Sequence, residues 1–147
     1  MKIGLDTNVF LNVKNKEDPF YQYSNAILEA VDDGKLKANI SIITIAELCV
    51  GYYKENELKE KDEFISSLYS NQYYRIIDLN LKIADKSGEI KYKTKLKLPD
   101  CVIIASLIQE GVSCLITNDS RFDKAKDFIS IYKSEEFYKN FITKNDK

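Results

Sequence analysis

Residues 2–8 read KIGLDTN, a short apolar run that ends abruptly in one acidic and two polar side chains. A run of this length and composition predicts a short buried strand, and Asp6 then directly follows its last residue. Further along the chain, stretches of strand type alternate with stretches of helical periodicity. This alternation predicts an α/β fold with a mostly parallel sheet, helices on both of its faces, and ligands beyond the carboxyl ends of the strands.

Other segments of the chain follow the same pattern. Short runs rich in β-branched residues predict further strands at 37–43, 73–78, 114–117 and 128–132. Apolar residues at helical spacing predict helices at 20–31, 44–53, 58–70, 80–90 and 99–110. A last stripe at 134–142 predicts that residues 134–147 form a C-terminal helix and a frayed tail. No linker, repeat or low-complexity segment interrupts the chain, so we expect residues 1–147 to form a single domain.

The composition narrows the chemistry that this chain can perform. It contains no histidine, which excludes the Ser-His-Asp and Cys-His arrangements and any acid–base scheme that uses imidazole. The three cysteines form no Cys-x-x-Cys pair and lie in apolar runs, so we expect buried free thiols. Catalysis would then depend on carboxylates, lysines, tyrosines or a bound metal ion.

We expect a cytosolic protein without a membrane partner. The first residues carry one lysine, a very short apolar stretch and then an acid, which is unlike a signal peptide. No apolar run approaches the roughly 18 residues that span a bilayer. The formal net charge of −1 does not by itself indicate a nucleic-acid partner, although committing four acids to a metal would leave the remaining surface positive.

Four acidic residues stand out by their positions, and each also has a simpler structural explanation. Asp6 is well placed to cap the helix that would follow it. Glu47 completes a Thr44-x-x-Glu47 capping box at the start of an apolar helix. Asp100 would lie in a first helical turn, where the helix dipole favours negative charge, and Asp119 would stabilise a turn.

The joint placement of these acids points to a metal site. Asp6 and Asp119 each follow a predicted strand. Glu47 and Asp100 lie in the first turns of predicted helices. In a parallel sheet these positions approach one edge, where four carboxylates would repel one another strongly. A divalent cation relieves that repulsion, and Mg²⁺ or Mn²⁺ suits a site built from carboxylate oxygens.

Four sequence motifs resemble those of the PIN-domain nuclease family and occur in the order typical of that family. They are LDTNVFL at residues 5–11, TIAEL at 44–48, PDCVIIA at 99–105 and LITNDSRF at 115–122. The resemblance implies a three-layer PIN-like fold with a small central sheet, and metal-dependent hydrolysis of RNA phosphodiester bonds. The compact length is similar to that of stand-alone VapC-type toxins, which implies a homodimer and a small antitoxin protein as partner.

The resemblance also implies roles for individual residues. The catalytic and metal-binding acids would be Asp6, Glu47, Asp100 and Asp119, with Mg²⁺ or Mn²⁺ as the cofactor. Asn8 and Thr117 would orient these acids. The fourth acidic position varies most in this family, so Asp123 is an alternative to Asp119 or shares its role.

RNA-binding residues are harder to assign from the sequence. Residues 91–98 read KYKTKLKL, with four lysines at alternate positions shortly before Asp100. The alternation favours a strand or an extended loop, whereas the resemblance favours a helix that gives way to a loop. Lys95 and Lys97 are candidates for phosphate contacts together with Arg121, although a solvent-exposed basic edge is the simpler explanation for the lysines.

Two other functions compete with this interpretation. A hydrolase of the haloacid dehalogenase type also begins with an aspartate after a short strand, but it requires a second aspartate where Asn8 stands. A PIN-like module that binds RNA or protein without cleavage typically lacks one or more of the acids, and this sequence retains all four. Thermal stabilisation by Mn²⁺ would distinguish a nuclease site from such a module.

Overall fold

A central parallel sheet organises this computed structural model, which describes residues 1–145. Within these residues the strands are β1 (Lys2–Leu5), β2 (Lys37–Ser41), β3 (Tyr74–Ile77), β4 (Cys114–Ile116) and β5 (Ser130–Tyr132). All pairs are parallel, and the order across the sheet is β3-β2-β1-β4-β5. The predicted α/β class is confirmed, and β1 lies at the centre of the sheet.

Helices join the strands and cover both faces of the sheet. They are α1 (Thr7–Lys14), α2 (Tyr21–Asp32), α3 (Ile42–Lys54), α4 (Leu58–Ser70), α5 (Leu81–Thr94), α6 (Leu98–Gln109) and α7 (Ser134–Phe137). A 3₁₀ helix (Ser120–Ala125) follows β4, and a π-helical turn (Tyr138–Ile142) and a 3₁₀ turn (Thr143–Asn145) follow α7. None of the helices within residues 1–145 combines the length and the apolar character needed to cross a bilayer. The end of the predicted frayed tail, residues 146–147, lies outside the described residues.

Two apolar cores, one on each face of the sheet, hold the layers together. Ile3 and Leu5 of β1 face the core that contains side chains of α1–α4 and α7. Leu115 of β4 faces the second core, which α5 and α6 complete. Gly4 also faces this second side, where a Cβ atom would overlap the side chain of Leu107. Helix α6 therefore packs directly against the central strand, and this packing positions the start of α6 relative to the end of β1.

The predicted strands and helices correspond to observed ones, with differences at their ends. Strand β2 ends at Ser41 rather than at residue 43, because Ser41 caps α3 and the next two residues already belong to that helix. The helix after Asp6 was predicted only as the partner of a capping residue, without bounds, and the 3₁₀ helix after Asp119 stands where a turn was predicted. Both segments are too short for a sustained apolar stripe, so periodicity did not reveal them.

The lysine-rich segment 91–98 adopts one of the two predicted conformations. Helix α5 continues to Thr94, and Lys95 ends it with a φ angle of 64°. Lys91 and Lys93 stand in the last turn of this helix, where the helix dipole favours positive charge. The strand alternative is therefore wrong, and the helix that gives way to a loop is the conformation observed.

Candidate functional site

Asp6 lies where β1 gives way to α1, at the centre of the carboxyl edge of the sheet. One carboxylate oxygen, Oδ1, accepts a hydrogen bond from the Thr7 backbone N–H at 2.8 Å and caps α1. The other, Oδ2, accepts hydrogen bonds from the Asn8 side-chain amide and the Thr117 hydroxyl, each at 2.8 Å. The capping interpretation and a role in a polar site are therefore compatible, because they use different oxygens.

The surroundings of Asp6 disfavour its charged form. The residue is only 5% exposed. Burial raises the pKa of its carboxyl group to about 6, although the hydrogen bonds from Thr117 and Thr7 oppose the rise. The negative charges of Glu47 and Asp100 raise this pKa further. Three of the predicted acids thus interact electrostatically at this edge.

Glu47 lies on α3, beyond the first turn in which it was predicted. The helix begins directly after Ser41, whose hydroxyl accepts a hydrogen bond from the Ile43 backbone N–H at 3.2 Å. The predicted Thr44–Glu47 capping box is wrong, because β2 ends earlier than expected and the helix begins before Thr44. Thr44 is fully buried instead, and its hydroxyl has no hydrogen-bond partner among the described residues. The Glu47 carboxylate accepts a hydrogen bond from the Thr7 hydroxyl at 2.9 Å.

Asp100 lies in the first turn of α6, as predicted. It is buried, and within residues 1–145 its Oδ2 atom has no hydrogen-bond partner. Burial raises the pKa of this carboxyl group, the positive charge of Arg121 opposes the rise, and Glu47 and Asp119 add to it. An unsatisfied buried oxygen is rare in proteins and commonly marks a position where an ion or a water molecule binds.

Asp119 lies on the outer side of the same edge, after β4, and caps the 3₁₀ helix. Its backbone N–H donates to the Thr117 hydroxyl at 3.1 Å, which links it to the group around Asp6. Arg121 binds its carboxylate through two nitrogens, with Nη2–Oδ2 at 2.6 Å and Nε–Oδ1 at 3.1 Å. The hydrogen bond from Arg121 lowers the pKa of Asp119, so this carboxylate, unlike that of Asp6, is held in its charged form.

Asp123, the alternative to Asp119, is more peripheral. It lies within the 3₁₀ helix, and its side chain is 48% exposed. Its carboxylate forms a long ion pair with Lys126, at 3.8 Å. An exposed pair of this kind contributes little to stability and leaves Asp123 outside the hydrogen bonds that join Asp6, Thr117 and Asp119.

Lys95 and Lys97 occupy the loop between α5 and α6. Lys97 immediately precedes α6, and its positive charge opposes the rise in the pKa of Asp100. The Lys95 ammonium group lies 5.2 Å from the centre of the Tyr92 ring in a cation–π contact. Lys97 is therefore near Asp100, at the end of the sheet where Asp6, Glu47, Asp100 and Asp119 lie, which we call the acidic edge. Lys95, in contrast, contacts a residue of α5.

Asn118 is a site residue that the sequence analysis missed. Its backbone N–H donates to the Asn8 side-chain oxygen at 3.1 Å, and its amide group donates to the Asn12 side-chain oxygen at 2.8 Å. Its side-chain oxygen accepts hydrogen bonds from the backbone N–H and the hydroxyl of Ser134, both at 3.0 Å. Asn118 thus ties the acidic edge to α1 and to α7. The sequence did contain one indication of this role. Asn118 stands in the TND segment between Thr117 and Asp119, which were both predicted to belong to the site.

The side chains at this edge are of the chemical type that binds a divalent cation, but their present arrangement does not form a cation site. No group of three or more Asp, Glu or Cys side chains in the described part of this histidine-free chain is arranged to hold a metal ion. Glu47 is engaged by Thr7, and Asp119 is engaged by Arg121. Carboxylate oxygens are nevertheless the ligands that Mg²⁺ and Mn²⁺ prefer, and Asp100 Oδ2 offers an unused acceptor.

Solved structures with a similar fold come from toxin–antitoxin systems. A toxin–antitoxin complex from Klebsiella pneumoniae is 24% identical, with a TM-score of 0.69 over 90% of this chain and 97% of that chain. VapBC2 from Rickettsia felis, bound to a DNA fragment from its promoter, is 22% identical, with a TM-score of 0.69 over 90% and 98%. A sarcin-ricin loop cleaving toxin from Mycobacterium tuberculosis is 13% identical, with a TM-score of 0.68 over 84% and 94%. At these identities the likeness shows the fold.

Sequence comparison gives two results of different weight. Two maize (Zea mays) proteins, inactive sesquithujene synthase and inactive sesquithujene synthase B, are 25% identical over 130 residues, or 88% of this chain. The chain spans about a fifth of the length of these curated relatives, because the match covers 22% of each. A family model for the PIN domain, in contrast, matches residues 3–127, which include all four predicted acids. The chain therefore belongs to the PIN domain family.

Proposed function

We propose that this protein is a metal-dependent endoribonuclease that hydrolyses RNA phosphodiester bonds with the carboxylates of Asp6, Glu47, Asp100 and Asp119. The observation that carries the proposal is the buried Oδ2 atom of Asp100, which has no partner in the described chain and lies near carboxylates that raise the pKa of its own group. Such an atom is costly in a protein interior unless it binds an ion or a water molecule.

The proposed cofactor is Mg²⁺ or Mn²⁺. When bound, a divalent cation lowers the pKa of water and offsets the negative charge that develops on the phosphodiester. Asp6 is prepared for binding, since Asn8 and Thr117 both hold its Oδ2 atom in one orientation. Glu47, whose Oε1 atom accepts a hydrogen bond from the Thr7 hydroxyl, would also help to hold the cation.

Arg121 is the proposed phosphate-binding residue. Its side chain is 54% exposed, and its charge acts on the nearby carboxyl group of Asp100. If Asp119 helped to hold a cation, its ion pair with Arg121 would weaken, and the guanidinium group could then bind an RNA phosphate through two nitrogens. Lys97 is a second candidate for a phosphate contact, because its charge also acts on Asp100, and Lys95 is a more distant third.

We further propose that the protein is a cytosolic toxin with a small antitoxin protein as partner and a homodimer as its functional form. The support is the similarity in fold to the toxin–antitoxin complexes from K. pneumoniae and R. felis over nearly their whole length. The fold is also similar to that of the M. tuberculosis toxin that cleaves the sarcin-ricin loop. Light scattering at micromolar concentration tests the dimer, and a monomeric mass would exclude it. Co-expression with the product of a neighbouring small reading frame tests the partner.

Incubation with a mixed cellular RNA pool tests the proposed activity. The wild-type protein should produce discrete fragments with Mg²⁺ or Mn²⁺ and none with EDTA, and Asp100→Asn should abolish them. Asp123→Asn is the matched control, because it removes a nearby carboxylate that is exposed and paired with Lys126. Fragments that persist in EDTA or in Asp100→Asn would exclude metal-dependent cleavage at this edge.

A second candidate function is that of a PIN-like module that binds RNA or a protein without cleavage. One observation favours it, namely that no three acids within residues 1–145 are arranged to hold a metal ion. Thermal unfolding with and without Mn²⁺ separates the two functions, since a ligand that binds only the folded state raises the midpoint. A rise that Asp100→Asn removes supports the nuclease, and an unchanged midpoint supports the binding module.

A further inference from the structure

A cavity of about 480 Å³ lies at the amino-terminal end of the sheet, opposite the acidic edge. The starts of β1, β2 and β3, the end of α4 and the residue after α6 line it. Its charged lining residues are Lys2, Lys37, Arg75 and Glu110. None of the residues assigned to the proposed ribonuclease site lines it, so the cavity is separate from that site.

Two lysines of this cavity are direct neighbours on adjacent strands. Lys2 and Lys37 are register partners in the parallel pair of β1 and β2. The residues that follow them, Ile3 and Ala38, point into the core beside α1–α4, so both lysine side chains point to the opposite face. Like charges at directly opposed positions destabilise a sheet. No ion pair joins either lysine to a carboxylate among the described residues, and both residues are exposed, so both can contact an anion from solution.

Arg75 adds a third cation to the same face. It is the register partner of Asn39, which lies two residues after Lys37 and therefore points to the same side. Its Nε atom lies 2.9 Å from the Glu110 Oε2 atom. Since this one acid faces three cations, the lining of the cavity carries an excess of two positive charges.

An aromatic side chain belongs to the same lining. Tyr69, at the end of α4, lines the cavity and is 85% exposed. Aromatic rings next to cations form stacking surfaces for nucleobases in proteins that bind single strands, because every base has a π-face. Gln72 adds an amide that can donate to and accept from a base or a sugar.

We propose that this cavity binds a nucleotide unit, with Lys2 and Lys37 on the phosphate and Tyr69 stacked on the base. The paired cations favour an anion, and the Tyr69 ring in the same lining favours an anion that carries a flat aromatic group. A free mononucleotide and one nucleotide of a single-stranded RNA present this same chemistry. The site lies apart from the acidic edge and does not depend on the proposed ribonuclease activity.

Titration of the full chain with adenosine monophosphate in EDTA, followed by backbone amide NMR, tests the proposal without RNA cleavage. Saturable shifts are expected at Lys2, Lys37 and Asn39. The double variant Lys2→Gln/Lys37→Gln should bind at least about tenfold more weakly, because it loses two charge-assisted phosphate contacts. Lys59→Gln/Lys144→Gln, which removes the same charge from exposed positions elsewhere, should bind as the wild type does.

Two further binding experiments identify the ligand. Tyr69→Leu should weaken the binding of adenosine monophosphate and leave that of inorganic phosphate unchanged, since only the former has a base to stack. A single-stranded RNA hexamer that binds the same residues more tightly than the mononucleotide identifies an RNA strand as the ligand, and equal affinity identifies a free nucleotide. Absence of saturable shifts, or shifts that survive in Lys2→Gln/Lys37→Gln, would overturn the proposal.

Discussion

The inner and the outer parts of the acidic edge hold their carboxylates in opposite ways. In the inner part, Asp6 and Asp100 are buried, and the pKa of each is raised by burial and by neighbouring acids. In the outer part, Asp119 is bound by Arg121, which lowers its pKa. The outer carboxylate thus has a cation from its own chain, whereas Asp6 has uncharged donors and Asp100 Oδ2 has none in the described residues. A cation from solution therefore has most to neutralise at the inner part.

Removal of an inner carboxylate should have the largest effect on activity. Asp100→Asn keeps the shape of the side chain but removes a proposed cation ligand, so we expect RNA cleavage to fall at least about 1000-fold. Asp119→Asn should cost less, about 10-fold to 100-fold, because its charge is already shared with Arg121. Single-turnover cleavage rates in Mn²⁺ measure both. Equal losses would show that the inner and outer acids do not differ in catalysis.

The pH dependence of stability should also differ between the two parts. The pKa of Asp6 is about 6 in the folded protein and about 3.9 in an unfolded chain, so the folded state binds the proton more tightly. Protonation of Asp6 therefore stabilises the folded state by about 3 kcal/mol. This stabilisation is complete below about pH 4 and is lost as the pH rises through 6. Asp119 acts with the opposite sign, because its lowered pKa makes its contribution disappear in acid.

Urea unfolding in EDTA at pH 4 and pH 7 measures these contributions. Asp6→Asn should lose the decrease in stability between pH 4 and pH 7 that Asp6 causes. Asp119→Asn should retain that decrease. The same pH dependence in the wild type and in Asp6→Asn would contradict the raised pKa.

Removing the hydrogen bonds of Asn118 tests whether this residue stabilises the acidic edge. Asn118→Ala removes the bonds to Asn12 and Ser134 and leaves their polar groups unsatisfied, so we expect a loss of about 1–3 kcal/mol in unfolding free energy. Asn25→Ala is the matched control, since Asn25 is bonded to Glu29 on an exposed helix surface, and it should cost less than about 0.5 kcal/mol. Urea unfolding at neutral pH measures both variants. Equal losses would remove Asn118 as a support of the site.

The smallest effect should follow from releasing the outer acid. Arg121→Gln frees the Asp119 carboxylate, so Mn²⁺ should bind up to about fivefold more tightly, as expected for the loss of an exposed ion pair. The KM for RNA should rise at the same time, because a phosphate-binding group is lost. Calorimetric titration with Mn²⁺ and steady-state cleavage measure the two effects. Lys126→Gln, which releases Asp123 instead, should change neither, and weaker Mn²⁺ binding by Arg121→Gln would contradict the proposed exchange.

Local patterns predicted most of the fold. Strand β1 and helix α4 were predicted with the bounds that they have, because apolar spacing within each segment reflects the face that it buries. The start of α3 was predicted wrongly. It depends on where β2 ends, and Ser41 still pairs with Ile77 of β3 before it caps the helix. The pairing of Ser41 with Ile77 joins residues that are far apart in the sequence, so the local pattern around Thr44 does not indicate it.

The linear order of the residues is enough to infer the fold class, the exclusion of imidazole chemistry, and the two acids that follow strands, Asp6 and Asp119. These inferences rest on spacing and composition, which are local properties. In the sequence, Asp6 and Asp119 look alike, since each stands after a short apolar strand. Only the tertiary structure buries the first, whereas the partner of the second, Arg121, lies two positions further along the chain. Burial and hydrogen bonding depend on distant residues such as Thr117, which lies 111 positions from Asp6 and donates to its carboxylate.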